Sequence, residues 1–307
     1  MKNLRIVQIA AWSVVAVLLT GILVLGIARG GYGGLYRFGF DWNFTPAGKQ
    51  VLTQSAASSG VDTVDVGVAS ADVVFRTGGS DIQVACYGPD GKDDNEYSVS
   101  RSGSELQVKQ KMRLFSFHWF DWGSRRVEIT LPENWHGSLA VSSASGDVQL
   151  PGGMQLSNIN IALASGNVAC VSNAPIAAED VKISSVSGDL NLGSLSCKTF
   201  SLSSTSGGVR LASLAGQGRI HTVSGDVGVD SLARMDGAVS AGSVSGDIRI
   251  GLGQGVGAQV TAGSVSGDIS ATGSLSFSGS HSASGQIGTG PYQPLSLSTT
   301  SGDIRIG

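Results

Sequence analysis

Apolar and polar residues alternate along most of this chain, and a Ser-Gly-Asp corner interrupts the alternation at a near-constant interval. The copies are SASGDVQL, LASGNVAC, SVSGDLNL, STSGGVRL, TVSGDVGV, SVSGDIRI, SVSGDIS, SASGQIGT and TTSGDIRI. Their glycines are Gly146, Gly166, Gly188, Gly207, Gly225, Gly246, Gly267, Gly285 and Gly302, spaced 17 to 22 residues apart. Apolar pairs follow each glycine at two and four residues, as in Val148/Leu150, Val227/Val229 and Ile304/Ile306. Others precede it at seven and five, as in Ile159/Ile161, Val181/Ile183 and Leu295/Leu297. A period of two means strands with one face inward. Each copy therefore reads as strand, tight corner, strand and looser return, with the small or β-branched residue two before the glycine (Ala144, Val186, Val223, Val265) expected inside the corner.

One such unit cannot bury its own apolar face, so the copies must stack, each strand bonded to its neighbours in the coils above and below. The expected fold is all-β: a parallel, right-handed β-solenoid of about nine three-sided coils of ~20 residues over 138–307. Residues 61–137 show the same habit more loosely (Asp72-Val73-Val74-Phe75, Asp81-Ile82-Gln83-Val84, Val127/Ile129/Leu131) and are expected to form degenerate first coils and a cap. SGDIRIG at 301–307 stops in mid-motif, so a bare final coil with unpaired edge groups, open to end-to-end self-association, is expected there.

The alternation is absent from 6–28. IVQIAAWSVVAVLLTGILVLGIA carries no charge and would span roughly 35 Å as a helix, enough for a bilayer core. It exceeds the length of a signal-peptide core, so an uncleaved anchor is expected, with 1–5 as a short cytosolic tail and the remainder extracytoplasmic at the cell membrane. Cleavage after Ala28 is the alternative. Residues 29–60 read as an aromatic interfacial segment (Tyr32, Tyr36, Phe38, Phe40, Trp42, Phe44) and then a flexible linker.

Composition narrows the function. Glycine is 45 of 307 residues and charged residues are 14%, which with abundant Val, Ile and Leu describes a repetitive β-protein rather than a disordered one. A net charge of −3 gives no pull toward nucleic acid. Three scattered cysteines (Cys86, Cys170, Cys197) form no disulfide framework.

TLPENW and the iterated S-x-SGD motif behind a transmembrane segment resemble the bacterial putative-adhesin family of β-strand-repeat envelope proteins, a domain of unknown function, over roughly 61–307. The resemblance implies a non-catalytic envelope role and brings no catalytic residue or cofactor with it.

Two clusters could carry chemistry. Asp147, Asp189, Asp226, Asp247, Asp268 and Asp303 recur at one repeat position, with Asn167, Gly208 and Gln286 at the matching sites. A row of carboxylates one coil apart can bind Ca²⁺, but Asp beside Gly is also turn chemistry, which tolerates those replacements better. The second is KQKMRLFSFHWFDWGSRR (109–126), which combines Lys109, Lys111, Arg113, Arg125 and Arg126 with Phe115, Phe117, Trp119, Phe120 and Trp122. It suits either a plug over the first coil or a contact with lipid headgroups, an anionic wall polymer or an integral membrane protein. His118, His136, His221 and His281 have no partner at ligand spacing. The function expected is adhesive, binding or scaffolding, not enzymatic. An accessory or sensor of an envelope-stress response, acting through a membrane partner, is the alternative. A polysaccharide-active β-helix enzyme is disfavoured, because 138–307 holds 7 basic and 10 acidic residues, six of the acids in the corner column.

Overall fold

The computed structural model describes residues 48–89, 96–111, 125–170, 174–273, 275–277 and 280–307. The 6–28 segment lies outside them, and among the described residues no helix is long and apolar enough to cross a membrane. The described chain is all β, with strands joined in one continuous sheet that coils on itself.

Parallel pairing in register carries the stack. Ile159 lies beside Leu139 on one side and Val181 on the other, and Val181 lies beside Phe200. After the corner, Val168 sits between Val148 and Leu190. Each coil has three inward stretches, such as Val227/Val229, Leu232/Met235 and Val239/Ala241, all buried in one core. The three-residue step from Leu156 to Ile159, both inward, marks where a strand turns from one side to the next.

The corners explain the glycines. A Cβ on Gly188 would lie 2.0 Å from the Gly166 carbonyl oxygen, and one on Gly166 would lie 2.1 Å from that of Gly146. The same collision recurs up the column, and the first coil supplies the Ala71 carbonyl beneath Gly146. A positive φ is present at Gly146, Gly166, Gly188 and Gly207 but not at Gly225, Gly246, Gly267 or Gly302. Close approach of the coil below is therefore the requirement common to all eight, and backbone conformation adds to it at four.

Three expectations need correction. First, eight glycines align, not nine: Gly285 lies in strand Ser282–Ile287, antiparallel to Gly257–Ser264. That copy has Ser278 and Ser280 where the others carry their inward pair, and Thr289 where most carry the second apolar residue after the corner. It has too little apolar side chain to form a coil. Second, the coils do not stack in chain order. Gly302 sits between Gly246 and Gly267, and Ile304–Ile306 pairs with Ile248–Leu252 on one side and Ile269–Ala271 on the other. The SGDIRI strand is thus bonded along both edges and is not a bare end. The inserted coil carries Leu295 and Leu297 where its neighbours carry Val239/Ala241 and Val260/Ala262. Third, the residue two before the glycine faces outward: Val223, Val244 and Val265 are 40%, 42% and 72% exposed. The inward alternation continues instead to the Ser or Thr three before the glycine.

Residues 61–131 also form coils, in inverted order. Thr63–Val68 and Asp72–Thr77 stack against Ser138–Ser145 and Val148–Leu150. Glu105–Gln110 and Arg126–Leu131 stack outside them. Antiparallel strands Tyr97–Ser102, Ile82–Gly88 and Lys49–Ala56 complete this end. The stretch 49–56, expected as linker, is therefore an edge strand, with Val51, Leu52 and Ala56 against the core. The Trp135 indole N–H donates to the Val61 carbonyl (2.7 Å) and ties the LPENW turn to the first coil.

Gly246→Ala, whose Cβ would lie 2.0 Å from the Gly225 carbonyl oxygen, should cost at least about 3 kcal/mol, because neither the Cβ nor that backbone oxygen can move. Gly263→Ala meets no atom within 4 Å and should be neutral or slightly stabilising. Thermal unfolding of the two variants checks this, and equal losses would remove the close-approach explanation.

Candidate functional site

The Asp column is a hydrogen-bond ladder. The Asp147 N–H donates to Asp72 Oδ1 (3.0 Å), Asn167 N–H to Asp147 Oδ1 (2.7 Å), Asp189 N–H to Asn167 Oδ1 (2.8 Å) and Gly208 N–H to Asp189 Oδ1 (2.7 Å). The ladder resumes with Asp247 on Asp226 (2.9 Å), Asp303 on Asp247 (2.9 Å) and Asp268 on Asp303 (3.0 Å). Each side chain satisfies the N–H of the next coil, whose tight corner has turned that group out of the strand ladder. Asn167 does this as well as Asp, which accounts for its place in the column. Among the described residues no group of three or more His, Cys, Asp or Glu is placed to hold a metal ion. Gln286 is outside the column, in the antiparallel strand.

A second ladder was missed by the sequence reading. Ser185 Oγ donates to the Gly166 carbonyl (3.1 Å), Ser204 to Gly188 (2.9 Å), Thr222 to Gly207 (2.9 Å), Ser243 to Gly225 (3.0 Å), Thr299 to Gly246 (3.1 Å) and Ser264 to Gly302 (3.0 Å). All six donors are buried. The signal was available as a Ser or Thr three before most corner glycines. Ser143 holds the same position in the first regular coil, but its buried hydroxyl has no partner among the described residues.

The basic aromatic segment divides. Arg113, Phe115, Phe117, Trp119, Phe120 and Trp122 lie outside the described residues, as does His118. The flanking cations are engaged within the fold: Lys109 Nζ with Asp65, Arg125 Nε with Glu96 (2.8 Å), and buried Arg126 with Glu128 (3.4 Å). Lys111 is exposed, and its N–H donates to the Glu96 carbonyl (2.7 Å). Gln110 Nε2 also donates to Glu96 (2.6 Å), so one carboxylate clasps both ends of the segment. Pairing of Gln50 with Tyr87, and of Tyr87 with Arg126, brings the start of the first described strand to the same corner.

The remaining reactive groups are quiet. Burial pushes the Cys197 thiol up to about 12, which keeps it protonated and poorly nucleophilic at neutral pH. His136 Nδ1 lies 2.9 Å from the Gln155 carbonyl and His281 Nδ1 2.8 Å from that of Gly267.

Burial, opposed in part by the Asp147 N–H and Arg126, raises the Asp72 carboxyl above its ordinary 3.8. Below that value both folded and unfolded chains are protonated and nothing is lost. As pH rises through 3.8 the unfolded chain ionises more readily, so at neutral pH the charge on Asp72 opposes folding. Asp72→Asn keeps the acceptor and should raise the melting temperature at pH 7, with the gain gone by pH 3. A gain equal at both pH values would contradict the charge argument. In the other ladder, Ser204→Ala should cost ~1 kcal/mol or slightly more and Ser143→Ala almost nothing, again read by melting.

The model of the Toastrack DUF4097 family matches residues 61–307. No curated protein matches the chain. Among solved structures, a putative adhesin from Bacteroides fragilis is similar at 14% identity and TM-score 0.50, over 85% of this chain and 99% of its own. A putative adhesin (10%, TM-score 0.45) and a putative lipid binding protein (13%, TM-score 0.40) from Parabacteroides distasonis each align over 85% of this chain, and over 98% and 97% of their own. At 14% identity the likeness to the Bacteroides fragilis protein is one of fold alone. With the family model spanning the whole solenoid, this chain belongs to the Toastrack DUF4097 family.

Proposed function

We propose that this protein is a membrane-anchored, non-catalytic binding module of the cell envelope. The observation that carries the reading is where the polar groups go. The recurring carboxylates are acceptors for backbone N–H groups, the recurring hydroxyls are donors to backbone carbonyls, and burial raises the Cys197 thiol away from reactivity. A general acid or base needs a group held ready for substrate, and the repeats spend theirs on the stack. The Bacteroides fragilis relative is described as a putative adhesin, which is consistent with such a role.

The apolar run at 6–28 supports the anchor, and Lys111 and Arg113 with Trp119 and its aromatic neighbours support contact with anionic headgroups. Strand Lys49–Ala56 starts beside Tyr87 and Arg126, close to described residues that flank 112–124 in the sequence. In this reading any part in an envelope-stress response is played through a membrane partner.

Removal of residues 2–28 should move the protein from the carbonate-resistant membrane fraction to the soluble one. The shortened protein should still sediment with phosphatidylglycerol vesicles at low salt. Combining Arg113→Glu with Trp119→Ala should weaken that by roughly tenfold, and raised salt should do the same. Retention of the shortened protein in the carbonate-resistant fraction would refute the anchor. Equal sedimentation with uncharged vesicles would refute the headgroup contact.

A further inference from the structure

Two cavities on the side of the solenoid away from the corner column share His136 and Ser157 and so form one groove. The first, of about 650 Å³, is bordered by Ser58, Asn134, Trp135, Ser138 and Asn158. The second, of about 430 Å³, continues past Ala177 and Ala178 to Ser196, Lys198 and Arg234. Register places these residues in successive coils: Leu156 beside Ala178, Ala178 beside Cys197, Ser196 beside Ala215 and Ala215 beside Arg234. The groove therefore runs along the rod axis, crossing the strands, for ~25 Å at one coil per ~4.8 Å. We propose that this groove binds a linear, uncharged polysaccharide, a proposal that rests on the surface-binding role above and supplies its site.

Three observations select that ligand. The strands lining the groove have their N–H and C=O groups in the parallel ladders, so an extended peptide would find no open edge to join. The charged side chains along it are two acids, Asp62 and Glu179, and two bases, Lys198 and Arg234. Lys198 pairs with Glu179 (3.1 Å), and Arg234 makes two bonds to Asp236 (2.8 and 3.0 Å). A polyanion would meet no net positive field there. What remains is chemistry for hydroxyl groups: Ser157 and Ser196 border Ala177 and Ala178, whose small apolar surfaces suit the C–H faces of sugar rings, and Asn134 and Asn158 line the wider part. Ser157 Oγ and Asn158 Nδ2 donate to the His136 carbonyl (2.6 Å) and Ser138 Oγ (3.0 Å), which leaves their oxygens to accept from a ligand. The His136 ring is fixed by the Gln155 carbonyl (2.9 Å) at the junction of the two cavities, and its other nitrogen has no protein partner among the described residues. Glu179, the carboxylate beside the alanines, is held by Lys198 (3.1 Å), and the action assigned to the groove is binding.

The test is affinity electrophoresis of the full-length protein in detergent, in gels containing hydroxyethyl cellulose, glucomannan or dextran, with polygalacturonate as the acidic comparison. Retardation by at least one neutral polymer is expected. Ala178→Trp, which fills the groove from its half-exposed floor, should weaken it at least tenfold. Ser296→Trp, on the outer face of another side, should leave it unchanged, and melting curves check that both variants fold. Retardation by polygalacturonate alone would overturn the uncharged ligand. Retardation by none of the four, or equal loss in both variants, would overturn the groove. The vesicle and fractionation experiments do not involve these residues, so failure here and failure of the membrane reading are separately visible.

Discussion

The structure depends on one close contact, that of each corner glycine with the carbonyl of the corner below it. At 1.9 to 2.3 Å from that oxygen there is no room for any Cβ, from Gly146 through Gly302 to Gly267. The contact lets the coils stack at sheet spacing even where the chain turns, which a side chain at the corner would prevent. It also fixes where the neighbouring polar groups lie. The corner N–H one residue on meets the Asp or Asn oxygen of the adjacent coil, and the corner carbonyl meets the Ser or Thr hydroxyl of its neighbour. Gly208 offers no carboxylate to the next coil, yet the stack continues through it. Glycine at the corner is thus the stricter requirement and the carboxylate the adjustable one.

Much of this was legible because the repeat is its own alignment. Spacing of the glycines and of the apolar pairs predicted a coil, a parallel ladder and a shared core, and Val148, Val168, Leu190, Val209 and Val227 take those places. What spacing could not convey is order. Nothing local to SGDIRI distinguishes Gly246 from Gly302, and the inserted position of the latter is seen only in the pairing of Ile304–Ile306 along both its edges. The outlying Gly285 copy was readable in principle, since its inward positions are serine, but the corner motif masked that loss. The outward valines were misread because a β-branched residue suits an exposed strand as well as a core. The buried serines were overlooked because hydroxyls are expected outside.

Function was less legible because the repeating residues are those the fold itself consumes. A motif recurring eight times marks a structural need shared by eight coils, whereas a binding surface draws on positions where the coils differ. Lys198, Arg234, His136 and Asn158 occupy different places relative to their corners and belong to no periodic pattern. Only stacking in register brings them to one side of the rod.

This separation constrains how such a protein can change partner without changing fold. A substitution in the corner columns alters a contact made with two neighbouring coils, so its cost reaches beyond its own coil. A substitution at an outward position of the looser return disturbs neither ladder, since the carboxylate and hydroxyl bonds all lie at the corner side. The corner side is therefore conservative in physical terms and the opposite side is free to vary. A surface able to differ in ligand from one protein of this architecture to another should lie along the returns, where the groove is found.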